Sequence, residues 1–270
     1  MYARRDFLHY ALALCGVTAS SCGRPFENDQ TNREETNMAH HLNIGAIIYP
    51  EMDQIDFTGP FEVLSRLPDS TFHILWKEKK PFRDLKGLIL TPETTLEEAP
   101  RLDVLIVPGG HGQQKLMEDE AVLGFIRTRA TSARYVFSVC TGALVCGAAG
   151  LFKGIRATTH WSAFHLLPYF GAIPVDERVV VDGKIVSAAG VTAGIDGALR
   201  LGALLRGDSV AMQIQLNIQY APEPPFSSGN PASAPPEVLG AEQEAVRIIT
   251  EQRRITARRI AARLGVNVAE

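Results

Sequence analysis

Cys140 stands where the chain changes from strand to helix with no loop between. Tyr135-Val-Phe-Ser-Val139 is β-branched and aromatic, and Cys140-Thr141-Gly142-Ala143 opens a helix with small residues. That layout forces a sharp turn, the thiol-bearing relative of the nucleophile elbow. It predicts a cysteine exposed at the end of a sheet. There it would face the unpaired N–H groups and positive end of a helix, which favour the attacking thiolate. The same residues leave a buried structural cysteine open, since free Cys is among the most buried residue types.

Two other segments supply complementary chemistry. The stretch from Pro50 to Pro60 carries the carboxylates Asp53 and Asp56, and Pro108-Gly109-Gly110-His111-Gly112 follows the apolar run Val104 to Val107. Glycines there are expected to present free backbone N–H groups at close approach. A thiolate, a carboxylate and an N–H cradle together suit attack on an electrophilic carbon with stabilisation of developing negative charge. Each part also has a plainer reading. Asp56 suits the cap of a turn before a Pro60 helix, Gly109-Gly110 a tight strand-to-helix turn, and His160 a hydrogen-bonded core histidine.

The elements that must position these residues alternate. Asn43–Tyr49 is a near-continuous apolar run, as in a buried parallel strand. A helix is expected over Pro60–Leu67, with Thr58 as N-cap and Pro60 in its first turn. Phe72–Lys77, Leu88–Leu90 and Val104–Val107 read as strands, and Asp119–Thr131 as a helix. Val179–Ser187 reads as a hairpin about Asp182-Gly183. Helices are expected over Ile195–Arg206, Asp208–Gln219 and Glu237–Leu264, with a Pro/Ser/Gly-rich loop from Pro222 to Pro236. This alternation predicts an α/β fold, a doubly wound, mostly parallel sheet with helices on both faces. Ligands in such sheets lie beyond the carboxyl ends of the strands, where all three loops converge.

The 270-residue chain is 46% hydrophobic with a formal net charge of −3, enough for a full core. No basic run has aromatic interleaving, so no nucleic-acid partner is expected. Arg247 to Arg263 is interrupted by Ile248, Ile249, Ile255 and Ile260, and reads as an amphipathic helix with a solvated basic face. The four cysteines (15, 22, 140 and 146) show no metal-ligand spacing, so no metal is expected. On one helix Cys140 and Cys146 would stand about 9 Å apart, beyond disulfide reach. Cys146 reads as a small core residue.

The N-terminus reads as an address. Arg4-Arg5-Asp6-Phe7-Leu8 is a twin-arginine pattern, followed by an apolar stretch to Val17 and small residues to Cys22. Residues 1–22 are therefore expected to be an export signal, and 23–41 a polar tether. Ala19-Ser-Ser-Cys22 resembles a lipobox that would lipidate Cys22. The apolar stretch is too short to span a bilayer. A periplasmic or lipid-anchored protein follows; a start at Met38 would give a cytoplasmic one instead.

Ile-Val-Pro-Gly-Gly (106–110), Ser-Val-Cys-Thr-Gly (138–142), Ala-Thr-Thr-His-Trp (157–161) and Ala-Gly-Ile-Asp (193–196) together resemble the ThiJ/PfpI family, within the glutamine-amidotransferase-like superfamily. Asp56-Phe-Thr-Gly-Pro60, Trp76-Lys-Glu78, Leu116-Met-Glu-Asp119 and Ala221-Pro-Glu-Pro-Pro-Phe226 match its isonitrile-hydrating branch. The resemblance implies a flavodoxin-like domain over 42–230, with 231–270 a helical extension packed on it. It implies Cys140 as nucleophile, Asp56 as acid/base, and Thr141 as the neighbour supporting the reacting group. Gly110 would give a backbone N–H, and His160 would lie in or beside the pocket. No cofactor, a small-molecule substrate and a homodimer are also implied. Thr141 stands where proteases and glyoxalase-like members often carry His, which turns the expectation from peptide hydrolysis toward isonitrile hydration. Competing readings are a thiol hydrolase or deglycase acting on small carbonyl compounds, and a non-catalytic ligand-sensing module like those of AraC-type regulators.

Overall fold

The computed structural model describes residues 40–268. The expected export signal, most of the tether, Cys15 and Cys22 lie outside the described residues. The order of elements is β1 (Leu42–Ile47), α1 (Gln54–Leu64), β2 (Ser70–Trp76), β3 (Phe82–Arg83), β4 (Ile89–Leu90), β5 (Thr94–Thr95) and β6 (Val104–Val107). Then come α2 (Gln113–Leu116), α3 (Glu120–Ser132), β7 (Tyr135–Val139), α4 (Gly142–Ala148), β8 (Arg156–Ala157) and a 3-10 helix (Trp161–Phe170). The chain closes with β9 (Ile173–Pro174), β10 (Val179–Asp182), β11 (Ile185–Ala188), α5 (Ala193–Arg206), α6 (Asp208–Asn217) and α7 (Pro236–Leu264).

Seven strands form the central sheet in the order β10-β11-β7-β6-β1-β2-β5. All neighbours are parallel except β10 and β11, the hairpin expected from Asp182-Gly183. After β5, which pairs outside β2, the chain crosses to the other side of β1, so the topological switch point lies between β1 and β6. The register aligns the strand ends there. Ala46 pairs with Ile106 and Val107 with Ser138, which brings the loops after β1, β6 and β7 side by side. β6 is buried along its whole length, as a central parallel strand requires.

Helices cover the sheet in two groups. One is α1 packed on α5, with α6 beyond it; the other is α2, α3, α4, the 3-10 helix and α7. Gly194 lets α5 approach the sheet closely, since a Cβ there would sit 2.9 Å from Val139 Cγ1 on β7. The terminal helix α7 is tied down by side chains along one face. Gln114 donates to Thr256 at 2.8 Å, Arg259 forks onto Glu118 at 2.9 Å, and Arg263 donates to Ala148 O at 3.1 Å.

Two expectations are corrected, both at the first helix. The helix expected to start at Pro60 begins six residues earlier, capped by Asp53, whose Oδ1 accepts the Ile55 N–H at 3.2 Å. Pro60 lies in its interior, and Thr58, expected as the cap, turns its hydroxyl back to Gln54 O at 3.0 Å. A proline marks a helix start only when nothing upstream caps better, and here an aspartate does. The strand expected over Leu88–Leu90 is present as Ile89–Leu90, paired with Phe82–Arg83 in a separate two-stranded ribbon. Residues 161–170 form a 3-10 helix that no periodicity announced.

Candidate active site

The turn after β7 is as sharp as the sequence predicts. Cys140 has φ 54°, a left-handed conformation that costs energy for any residue with a Cβ. Its surroundings hold it there. Cys140 N–H donates to Ala188 O at 3.0 Å, and Cys140 O accepts the Thr159 hydroxyl at 2.7 Å. Gly142 is required at the start of α4, because a Cβ there would lie 2.0 Å from Val107 O.

The Gly-rich loop after β6 lies against this elbow. A Cβ on Gly109 would meet Thr141 N at 2.5 Å and Asp56 Oδ2 at 2.9 Å, and Gly110 has φ 118°. Gly109 N–H donates to Asp56 Oδ2 at 2.8 Å, and Gly110 N–H to the Thr141 hydroxyl at 3.2 Å. The two N–H groups expected to be free are therefore engaged. The loop organises the carboxylate and the threonine. Tyr49, at the end of β1, anchors it from below, its hydroxyl 2.7 Å from Pro108 O and 2.9 Å from Gly109 O.

Asp56 is fully buried on the first turn of α1, where Asp53 has already taken the capping role. The plain reading of Asp56 as a cap is thus replaced. The Cys140 thiol influences its carboxyl electrostatically, while Oδ1 has no hydrogen-bond partner among the described residues. Burial, with the Asp53 charge adding, pushes the Asp56 carboxyl well above the usual carboxylate range against the pull of Gly109 N–H. Cys140 is buried rather than exposed, at 5%. Burial and the nearby Asp56 carboxylate push its thiol up, opposed by Thr141 N–H and the Arg253 guanidinium. Desolvation thus outweighs the helix terminus that the sequence leads one to expect as favouring the thiolate.

His160 caps the 3-10 helix. Its Nδ1 accepts Ser162 N–H at 3.4 Å and lies 2.9 Å from the Ser162 hydroxyl. Burial and the Arg253 charge pull it down to about 4, so the ring is neutral at physiological pH. Cys146 is buried in α4 with its thiol pushed up to about 12 by desolvation, as suits a core residue. No cluster of three or more candidate metal ligands occurs among the described residues.

Sequence reasoning missed three residues at this centre. Thr159 was visible only as a member of a motif, Gln113 is an uncharged side chain with no pattern, and Arg253 was hidden in a helix read as having a solvated basic face. Arg253 is in fact 4% exposed. Its Nε donates to Gln113 Oε1 and its Nη2 to Gly110 O, each at 2.9 Å. Its neighbour Arg254 faces outward onto Glu251, and that is the face the composition described.

The DJ-1/PfpI family model matches residues 43–203. The isonitrile hydratase of Pseudomonas putida is 49% identical over 225 residues, 83% of this chain and 99% of that protein. A crystal structure of a ThiJ/PfpI family protein from Pseudomonas syringae superposes with a TM-score of 0.80 at 37% identity, covering 87% of this chain and 97% of that one. The helix-turn-helix transcriptional regulator GbdR of Pseudomonas aeruginosa is 32% identical over 117 residues, 43% of this chain and 32% of that protein. Doubly wound sheet, strand-end elbow and near full-length likeness agree: the chain belongs to the DJ-1/PfpI family.

Proposed function

We propose that the protein hydrates an isonitrile, R–N≡C, to the N-substituted formamide, with Cys140 as nucleophile and Asp56 as acid and base. The observation that carries this reading is the convergence of buried Asp56 and the buried Cys140 elbow on one Gly-rich loop, Gly109 N–H binding Asp56 and Gly110 N–H binding Thr141, in a chain matching an isonitrile hydratase over 99% of that protein's length. The Cys140 thiolate adds to the terminal carbon while Asp56 delivers a proton to that carbon, giving a thioimidate. Asp56, now a carboxylate, takes a proton from a water that attacks the same carbon. The water's other proton ends on nitrogen, the C–S bond breaks, and formamide and thiolate are released. One carboxyl alternates between acid and base, which requires it to hold a proton at the working pH. Burial of Asp56 supports that requirement.

Thr141 is assigned to hold the Gly-rich loop in register with the elbow through Gly110, at 3.2 Å. His160, neutral and engaged with Ser162, is assigned to the wall of the pocket. The regulator likeness covers only a third of GbdR. Among the described residues, one long helix follows the Pro-rich loop, with no helix-turn-helix pair.

The test is formamide production from a simple alkyl isonitrile by the purified chain, beside Cys140→Ala. Turnover in the wild type and none in the variant is the expected result. Equal turnover in both would remove Cys140 as nucleophile. No turnover in either, with Cys140 still alkylated by iodoacetamide, would transfer the reading to carbonyl electrophiles such as methylglyoxal.

A further inference from the structure

We propose that Arg253, carried in by the terminal helix α7, is a positioning residue that selects the reactive proton arrangement of the Cys140–Asp56 pair, thiolate beside protonated carboxyl. This rests on the assignment of Cys140 as nucleophile above.

A buried guanidinium is expensive unless an anion faces it. Arg253 is 4% exposed, and its two hydrogen bonds go to neutral acceptors, Gln113 Oε1 and Gly110 O. No carboxylate among the described residues pairs with it, in contrast to Arg254 and Arg259 on the same helix, which fork onto Glu251 and Glu118. The ionisable groups that feel its charge as anions are Cys140 and Tyr49. Tyr49 has its hydroxyl committed to Pro108 O and Gly109 O and is pushed up by burial, so it stays a neutral phenol. The thiolate is therefore the anion that α7 is built to face.

The remaining groups around the pair leave Arg253 as its cation. From the cap and first turn of α1 come Asp53 and Asp56, which disfavour further negative charge. His111, on the loop after β6, and His160, at the 3-10 helix, are both pulled down by burial and by Arg253 itself, so neither supplies a charge. Two backbone donors divide evenly: Thr141 N–H favours the thiolate and Gly109 N–H favours the Asp56 carboxylate. Arg253 adds to the thiolate side, since its charge favours the thiolate and its Nη2 holds Gly110, whose N–H binds Thr141 next to Cys140. Its Nη2 is fixed by Gly110 O, and Gly110 N–H in turn holds the Thr141 hydroxyl, so the charge is rigidly referenced to the elbow.

The experiment measures the pH dependence of Cys140 alkylation by iodoacetamide in the full chain, a readout that needs no isonitrile. Arg253→Gln keeps a hydrogen-bond donor and loses the charge. It is expected to slow alkylation at pH 7 about tenfold and to move the midpoint upward, as loss of one nearby opposite charge implies. Arg253→Lys, which keeps the charge, should stay near the wild-type profile, and so should Arg254→Gln. Gln113→Glu covers the case in which Arg253→Gln does not fold. It is isosteric, keeps the acceptor for Arg253 Nε, gives up an amide nitrogen that has no partner, and neutralises the guanidinium with a carboxylate. It should slow alkylation as Arg253→Gln does. Wild-type profiles in Gln113→Glu and in any folded Arg253→Gln would overturn the proposal. A slowed profile in a protein with no isonitrile turnover would leave it standing and defeat the substrate assignment alone.

Discussion

Asp56 Oδ2 accepts the Gly109 N–H at 2.8 Å, so the loop after β6 positions the carboxyl proposed as acid and base. The bond couples two strand ends across the switch point of the sheet. It also explains why the loop needs glycine, and why Asp56 stays in place although burial works against its charge.

Asp56→Asn should abolish turnover while raising stability. Asparagine keeps the acceptor for Gly109 N–H and places its NH2 where Oδ1 meets no N–H or O–H donor. The folded Asp56 carboxyl lies above its unfolded value. Its favourable contribution is therefore complete below about pH 4 and is lost as pH rises through the folded value. The neutral variant escapes that loss. Thermal unfolding should show it more stable by about 1–3 kcal/mol at pH 7, with the gap closing toward pH 4. A variant less stable than wild type at pH 7 would mean that the carboxylate form is the one the fold prefers.

Turnover and alkylation should part company at high pH. Cys140 and Asp56 titrate as a pair, and turnover needs one proton between them, on the carboxyl. Turnover should rise as the first proton leaves and fall as the second does. Both limbs should lie above the ordinary carboxylate range, because burial raises both groups. Alkylation needs only the thiolate and should not fall on the alkaline side. Turnover that climbs with alkylation through the whole range would remove Asp56 as proton donor.

Gly109→Ala should lose activity through geometry alone. The added Cβ would fall 2.5 Å from Thr141 N and 2.6 Å from Thr141 Oγ1, neither of which is a flexible chain end. The loop must then retreat from the elbow, breaking the bond to Asp56. A stability loss of about 1–3 kcal/mol is expected from overpacking of this kind, with formamide production down at least about a hundredfold. Chemical denaturation and the isonitrile assay on the same preparation check both. Full activity in this variant would show the loop to be incidental to the site.

Much of this site was legible because local chemistry dictated it. Tyr135–Val139 leading into small residues permits little but a strand and a sharp turn, and Val104–Val107 with two glycines fixes the neighbouring strand end. The helix containing Asp56 was misread because Pro60 carries a strong start signal, while capping by Asp53 depends on a loop conformation set from across the sheet. Burial of Cys140 was invisible for a related reason. It comes with the close-packed Gly-rich loop, about thirty residues away along the chain. Arg253 was the hardest to find: Arg253 and Arg254 are adjacent and identical in type, and only tertiary packing makes one a buried charge and the other a surface ion pair.

Thr159 gives the last test, because it supports the elbow without joining the proposed chemistry. Its hydroxyl donates to Cys140 O at 2.7 Å, the carbonyl of the residue held at φ 54°. The other donor to that carbonyl is Ala143 N–H, at 3.4 Å, which is long for a full hydrogen bond. Thr159→Val preserves shape and removes the donor, leaving a buried carbonyl poorly satisfied, at a cost of about 1–2 kcal/mol. The strained turn should relax first, so alkylation of Cys140 should change along with the fall in melting temperature. Thr159→Ser restores the hydroxyl and should recover both. If valine and serine behave alike, packing of the side chain rather than its hydrogen bond holds Cys140 in its left-handed conformation.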